Sequence, residues 1–312
     1  MVVQLMSHTV LHIGLHKTAT TTLQQQFFPS CSDVNLLTTQ NFSVRNFINN
    51  VTKTDPAYFD ADIARALISP LLSRSTQNII SNESLSCLPF SGVIEPGLDH
   101  RTPILNNLKS VFPDAKIILV LRRQDGLAKS LYRQYLKSGG TRPVERFYGT
   151  KGVNKPALVS INRFLYLKYV DVLFNAFNSN VLLLPFELFV EDQTEFLKRI
   201  TDFIGIELPN IELKPENATK LNPAMLEVTR LINHFFRSLL NPAGLLPGLM
   251  INKHGNKRRQ SPVQFIHDNW PFKNQAKGKI DIITKQILEQ AKEDNLMLDE
   301  KYALNLQHYG YY

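Results

Sequence analysis

The chain has 312 residues, 43% hydrophobic and 20% charged, enough apolar content to bury the core of one large domain. Its formal charge of +8 favours anionic partners, leaving nucleic acid, a membrane surface, an anionic glycan or a doubly phosphorylated nucleotide open. Two cysteines without paired spacing, Cys31 and Cys87, exclude a disulfide framework or a cysteine metal site, so a reducing compartment is expected. No run of about 18 apolar residues suggests a membrane helix. The opening MVVQLMSHTVLHIG lacks the basic start and cleavage site of a signal peptide, so a cytoplasmic chain without leader or anchor is expected.

In chain order, Val10, Leu11 and Ile13 form the end of a buried strand that runs into HIGLHKTATTTLQ, His12 to Gln24. Gly14 permits a tight turn, and Thr18 to Leu23 opens a helix that ends near Pro29. Backbone N–H groups at that helix start, Lys17 and several hydroxyls converge on one place, which suits a phosphate. Asn35 to Thr38 reads as a short second strand. Residues 40–77 are polar and mixed, with one helix over Asp60 to Leu72 built on Ile63, Ala66, Leu67 and Leu71. Gln77 to Ser81 is a central strand, with Asn82, Glu83 and Ser84 at its carboxyl end, where open α/β sheets collect ligands.

A helix ending around Phe112 precedes the clearest strand, KIILVL, Lys116 to Leu121, which is followed at once by Arg122 and Arg123. A helix from Gly126 to about Lys137 stops at Gly139 and Gly140. Thr141 to Lys155 reads as an exposed loop, and Leu158 to Phe177 as an amphipathic helix before the strand Val181 to Phe186. Helices follow around Gln193 to Ile204, Ala224 to Leu240 and Lys279 to Leu296. Residues 242–260 form an irregular apolar and basic stretch. Strands separated by helices imply a largely parallel sheet with helices on both faces.

A Walker A loop needs four residues between its first glycine and the Gly-Lys pair. Here only Leu15 and His16 separate Gly14 from Lys17. GLHKTATTTL instead resembles the 5′-phosphosulfate-binding loop of sulfotransferases, usually GxxKTGTTxL, with Ala19 in place of the second glycine. RRQDGLAKSLY, Arg122 to Tyr132, adds a second point of resemblance. In that family an arginine at a strand end and a serine eight residues later hold the donor's 3′-phosphate, and Arg122 and Ser130 show that spacing. An arginine fork and a hydroxyl give charge-assisted bonds to a phosphate. Arg123 and Gln124 depart from the usual Arg-Asn/Asp-Pro form and match bacterial members. Leu183 to Ile206 and the closing NLMLDEKYALNLQHYGYY are similar to later parts of the family.

The resemblance implies one α/β domain over residues 1–312, a P-loop-like three-layer sandwich with a central, mainly parallel sheet and additional C-terminal helices. It implies 3′-phosphoadenosine 5′-phosphosulfate (PAPS) as donor and no required metal. Lys17 would meet the leaving phosphate, with Gly14, Thr18, Ala19, Thr20, Thr21 and Thr22 around the 5′-phosphate and Arg122 and Ser130 on the 3′-phosphate. An acceptor hydroxyl needs a base, for which Glu83 and His16 compete. Glu83 is preferred because glycan sulfotransferases often place a glutamate there, opposite the leaving group. That preference favours a carbohydrate or glycolipid acceptor. His12 reads as structural, and Lys253, Lys257, Arg258 and Arg259 as a basic loop over the nucleotide or simply solvated. Leu245 to Ile251 could touch a lipid-linked acceptor or membrane, although a buried loop is the preferred reading. The alternatives are a P-loop kinase, which would need an acidic metal ligand where KIILVL ends in arginines, and a non-catalytic binder of anionic glycans. No nucleic-acid motif is present, so a nucleic-acid partner is not expected.

Overall fold

Five short strands, Thr9–His12 (β1), Val34–Leu37 (β2), Gln77–Ser81 (β3), Lys116–Leu121 (β4) and Val181–Pro185 (β5), form one parallel sheet in the computed structural model. Their order is β2-β3-β1-β4-β5. The structure describes residues 9–87, 100–149, 157–214, 223–247, 251–252, 259–260 and 278–312. Lys253, Lys257 and Arg258 lie outside the described residues, as does the part of the expected 141–155 loop beyond Gly149. Only the backbone of Arg259 is described.

The strands are rich in Val, Ile and Leu because both faces of the sheet are covered. Alternating side chains divide the core. Leu11, Ile80, Ile117, Leu119 and Leu121 join a large cluster with helices Phe42–Lys53, Ala61–Ile68, Arg101–Val111, Gln124–Lys137 and Leu167–Phe177. Val10, Ile79, Ile118, Val120 and Leu184 face a second cluster. It is covered by the helical segment from Thr20 to Ser30 and by helices Phe186–Glu191 and Gln193–Ile204. Helix, sheet and helix make three layers, the α/β class read from the sequence.

The helix after β1 is not uniform. α-Helical Thr20–Thr22 gives way to a π-helical turn, Leu23–Phe27, and returns to α-helix over Phe28–Ser30. Pro29 supplies the reason: it has no N–H, its ring crowds the carbonyl four residues back, and a wider turn relieves the clash. Phe27 and Phe28 are fully buried beneath the sheet, each stabilising by about 1.5–3 kcal/mol.

Several boundaries differ from the sequence reading. The helix Phe42–Lys53 was not anticipated. Asn41 caps it through Ser43 N and Val44 N, and its stripe of Val44, Phe47, Ile48 and Val51 is buried. The next helix is Ala61–Ile68 followed by a 3-10 turn, Ser69–Leu71, and it buries Ala64 and Ile68 while Ile63 is exposed. Residues 141–149 are not all loop, since Val144–Tyr148 is helical. Leu167–Phe177 starts nine residues later than expected because the Asp294 carboxylate accepts from Tyr166 N at 2.6 Å and Leu167 N at 3.1 Å.

The helix Pro223–Asn233 ends early because Asn241 folds the chain back, donating to the carbonyls of Asn233, His234 and Phe236. Leu245 and Leu246 beyond it are exposed rather than buried. The last expected helix is two, Lys279–Gln290 and Lys292–Tyr302. Among the described residues, no helix is long and apolar enough to cross a membrane.

The strand order fixes where a ligand can sit. The chain leaves β1 toward β2 at one edge and leaves β4 toward β5 at the other, so the connections diverge between two central, adjacent strands. Such a switch point opens a crevice at the carboxyl ends of the strands. Lys17 follows β1 there, and Arg122 follows β4.

Candidate active site at the carboxyl ends of the strands

The loop after β1 begins as an extension of the sheet. Ile13 N donates to Ile118 O at 2.9 Å and Leu15 N to Val120 O at 3.1 Å, while Asn82 N on the other side donates to His12 O at 3.1 Å. The chain then turns sharply, with φ 68° at Lys17 and 61° at Ala19. Left-handed geometry costs an alanine about 1–2 kcal/mol relative to right-handed helix, so the loop is held strained by its surroundings. Lys17 is exposed at the loop tip.

Gly14 is needed for space rather than for an unusual φ. A Cβ there would lie 2.9 Å from Thr18 Oγ1, 3.2 Å from His12 Nε2 and 3.6 Å from Thr20 Oγ1. The threonines divide their tasks. Thr18 closes the loop by donating from Oγ1 to Leu15 O at 2.5 Å. Thr20 Oγ1 is buried and has no hydrogen-bond partner. Thr21 is exposed, and Thr22 is buried in the first helical turn.

Glu83 opens a 3-10 turn, Glu83–Leu85, straight after β3, and Asn82 caps that turn by accepting from Ser84 N at 2.8 Å. Its Oε1 lies 3.4 Å from His16 Nδ1, an ion-pair distance too long for a well-formed hydrogen bond. The two side chains differ in access, at 34% exposure for Glu83 and 2% for His16. Burial pulls the Glu83 pKa up, but His16, the Lys17 ammonium and the Lys17 backbone N–H outweigh it, leaving the carboxyl below its ordinary value. Burial lowers the His16 pKa against the facing carboxylate, with Arg163 and Lys17 adding to the fall. A neutral imidazole therefore sits behind an ionised, accessible carboxylate at neutral pH.

Arg122 reaches back across the switch point. Its Nη1 donates to Lys17 O, and the guanidinium lies over the Phe186 ring at 4.6 Å. Burial lowers its pKa, opposed chiefly by Glu187, but a guanidinium stays charged. Its Nε is 3.3 Å from where a Cβ on Gly126 would be. Gly126 and Ser130, four residues apart on helix Gln124–Lys137, share a face, so Ser130 stands one turn along the helix from Arg122. Tyr132, next in the motif, is instead core: it is buried, and its hydroxyl donates to Arg142 O at 3.1 Å.

Sequence reasoning missed the brace that holds this strand end. Tyr166 donates from its hydroxyl to Arg122 O at 2.7 Å. Glu187 accepts from Arg123 N at 3.1 Å and from the Tyr311 hydroxyl at 2.7 Å. Gln124 donates to Asn295 Oδ1 at 2.6 Å, and Asn295 donates to Tyr311 O at 3.0 Å. These contacts join residues 16 to 171 apart in sequence, and no local pattern announces them. Arg163, buried near His16 and donating to Cys87 Sγ at 3.1 Å, was also unforeseen.

The buried polar atoms test whether a phosphate suits the loop. Among the described residues, Thr20 Oγ1, His12 Nε2 and both ring nitrogens of His16 lack a hydrogen-bond partner, with His16 Nδ1 facing the Glu83 carboxylate at 3.4 Å. Buried polar groups are ordinarily satisfied, so this concentration fits an anion of the size and chemistry of a phosphate. No group of three or more His, Cys, Asp or Glu among the described residues is placed to hold a metal ion.

Residues 99–210 match the family model described as "Sulfotransferase family". No curated protein matches the chain. Among solved structures, a sulfotransferase from Alicyclobacillus acidocaldarius is similar at 16% identity, with 66% of this chain and 86% of that one covered and a TM-score of 0.44. Mouse sulfotransferase SULT7A1 complexed with PAP is similar at 13% identity, with 95% and 89% covered and a TM-score of 0.39.

Proposed function

With residues 99–210 belonging to the sulfotransferase family, we propose that this chain is an enzyme that moves a sulfuryl group from PAPS to a hydroxyl on a carbohydrate or glycolipid. One observation carries the reading: Arg122, at the end of β4, donates to the backbone of Lys17, in the loop after β1. Two anion-binding elements thus meet at the switch point, which supports one nucleotide bearing both 5′ and 3′ phosphates as the ligand.

The loop holds the 5′-phosphate through Gly14, Lys17, Thr18, Ala19, Thr20, Thr21 and Thr22, with backbone N–H groups and the helix start supplying positive potential. Arg122 and Ser130 take the 3′-phosphate. PAPS brings the activated S–O–P linkage. As the acceptor oxygen bonds to sulfur, the bond from sulfur to the 5′-phosphate oxygen breaks, and its electrons remain on that phosphate. Lys17 meets the charge that develops there. The acceptor proton passes to Glu83, whose carboxylate is ionised and open to solvent, while buried His16 positions it from behind. Cys31 and Cys87, both buried free thiols, support placement in the cytoplasm.

Calorimetric titration with 3′-phosphoadenosine 5′-phosphate (PAP), compared with ADP and with ATP with and without Mg²⁺, tests the donor site. Metal-independent binding that needs the 3′-phosphate, and that weakens about tenfold or more in Arg122→Ala on loss of a charge-assisted bond, is the expected result. Preference for Mg-ATP would favour a kinase, and no nucleotide binding by the folded protein would favour a non-catalytic binder. A screen of glycan acceptors with radiolabelled PAPS then tests the acceptor class.

A further inference from the structure

The reading above leaves three polar side chains beneath the phosphate loop without a task, His12 and Ser81 buried and Gln24 half-buried. His12 ends β1, Ser81 ends β3 directly beside it in register, and Gln24 projects from the helical segment that follows the loop. All three are joined. Gln24 Nε2 lies 2.8 Å from Ser81 O and 3.0 Å from Ser81 Oγ, and Ser81 Oγ lies 2.7 Å from His12 Nδ1.

Proton accounting fixes the Gln24 end of this chain and allows one direction for the rest. A carbonyl oxygen only accepts, so the Gln24 atom facing Ser81 O is its NH₂, and the same group donates to Ser81 Oγ. The Ser81 hydroxyl proton is then free to be donated to His12 Nδ1, the tautomer that also leaves a donor on the far side of the ring. With Nδ1 accepting, the proton of the neutral imidazole sits on Nε2. That nitrogen is buried and has no hydrogen-bond partner among the described residues. The point where a Gly14 side chain would begin lies 3.2 Å from it, 2.9 Å from Thr18 Oγ1 and 3.6 Å from Thr20 Oγ1. Thr18 has committed its own proton to Leu15 O, whereas Thr20 Oγ1 is also unpartnered.

We propose that Gln24, Ser81 and His12 form a positioning relay that holds the His12 Nε2–H donor under the phosphate loop, where it sets the Thr20 hydroxyl for the 5′-phosphate of the donor nucleotide. The inference rests on the sulfotransferase reading of the loop. His12 takes no part in proton transfer to the acceptor. Its work is to keep one donor fixed, so that when phosphate binds, Thr20, which makes no hydrogen bond to His12 in this structure, accepts from below and donates its own proton upward. Gly14 belongs to the same device, because any side chain there would fill the space that these three polar atoms border.

The test compares His12→Gln with His12→Asn by titration with PAP. A glutamine amide nitrogen reaches the place of imidazole Nε2, whereas asparagine reaches only the place of Nδ1. His12→Asn is expected to bind PAP about tenfold more weakly or worse, the loss of a hydrogen bond serving a charged group, and His12→Gln to stay within about threefold of the wild type. Equal loss in both variants, or no loss in His12→Asn, would overturn the relay while leaving the donor site intact. Failure of the wild type to bind PAP would overturn the sulfotransferase reading and the relay with it. Imidazole ¹⁵N NMR on the wild-type protein needs no variant to fold. It should show the His12 proton on Nε2, with a resonance that moves on PAP addition. A proton on Nδ1 instead would refute the relay.

Discussion

Glu83 Oε1 and His16 Nδ1 stand 3.4 Å apart, with the carboxylate toward solvent and the imidazole closed off behind it. Access therefore separates two candidate bases that their types alone leave in competition. Glu83→Gln is expected to lower kcat by about a hundredfold or more, in the range of a lost general base, with PAP affinity close to wild type. His16→Gln should cost less, since it removes a positioning partner. Steady-state kinetics beside PAP titration checks both, and a larger kcat loss in His16→Gln would reverse the roles. The acid limb of the kcat profile should lie below the ordinary glutamate value of 4.5, because the Glu83 pKa is lowered and the base must be ionised.

Ala19 carries a left-handed conformation, φ 61° and ψ 13°, at the position where the family motif has glycine. Replacement by glycine removes about 1–2 kcal/mol of backbone strain and returns about 0.4–1 kcal/mol of unfolded-state entropy. Ala19→Gly should therefore raise Tm slightly, by about 1–3 °C for a chain of this size, and Ala19→Val should lower it, because β-branching adds crowding at positive φ. Differential scanning calorimetry resolves the pair.

His12 makes stability depend on pH. Unfolded, it takes a proton near 6.5, whereas burial holds the folded value down to about 4. Between those limits the unfolded chain binds more protons, so stability falls as pH drops below 6.5 and is unaffected by this group above it. The full shift corresponds to about 3 kcal/mol. Urea unfolding at pH 7 and pH 4.5 should show a smaller loss in His12→Gln than in the wild type, and equal losses would contradict the linkage.

Tyr311→Phe removes the hydroxyl that donates to Glu187 Oε2 at 2.7 Å, while Glu187 still accepts from Arg123 N. A hydrogen bond to a carboxylate contributes about 1.5–3 kcal/mol, so Tm should fall. PAP affinity should weaken as well, because the same contact steadies the strand end that carries Arg122. Unchanged PAP affinity in a destabilised variant would separate the brace from the binding site.

The fold class was legible because strands buried on both faces must be short apolar runs, and QNIIS, KIILVL and VLLLP are such runs wherever they sit in space. The strand, turn and helix start around the glycine, lysine and threonine loop were legible too, since a tight turn into a helix is a local property of the backbone. Helix limits were less so. Leu167–Phe177 begins where a carboxylate 127 residues downstream caps it, and Ala61–Ile68 turns Ala64 rather than Ile63 inward because its neighbours decide which face is covered.

By itself, then, the sequence determined everything that depends on residues near one another along the chain: the strands, the strained loop, and the spacing of Arg122 from Ser130. Only the tertiary structure decided that β1 and β4 are neighbours, so that Arg122 touches the Lys17 backbone. It also decided that Ser81 faces His12, that Glu83 rather than His16 is open to solvent, and that Tyr311 braces the strand end. The physical reason is that these contacts join residues roughly 70 to 120 apart in sequence. No local propensity encodes such a meeting, and it exists only once burial of both faces of the sheet has fixed the strand order.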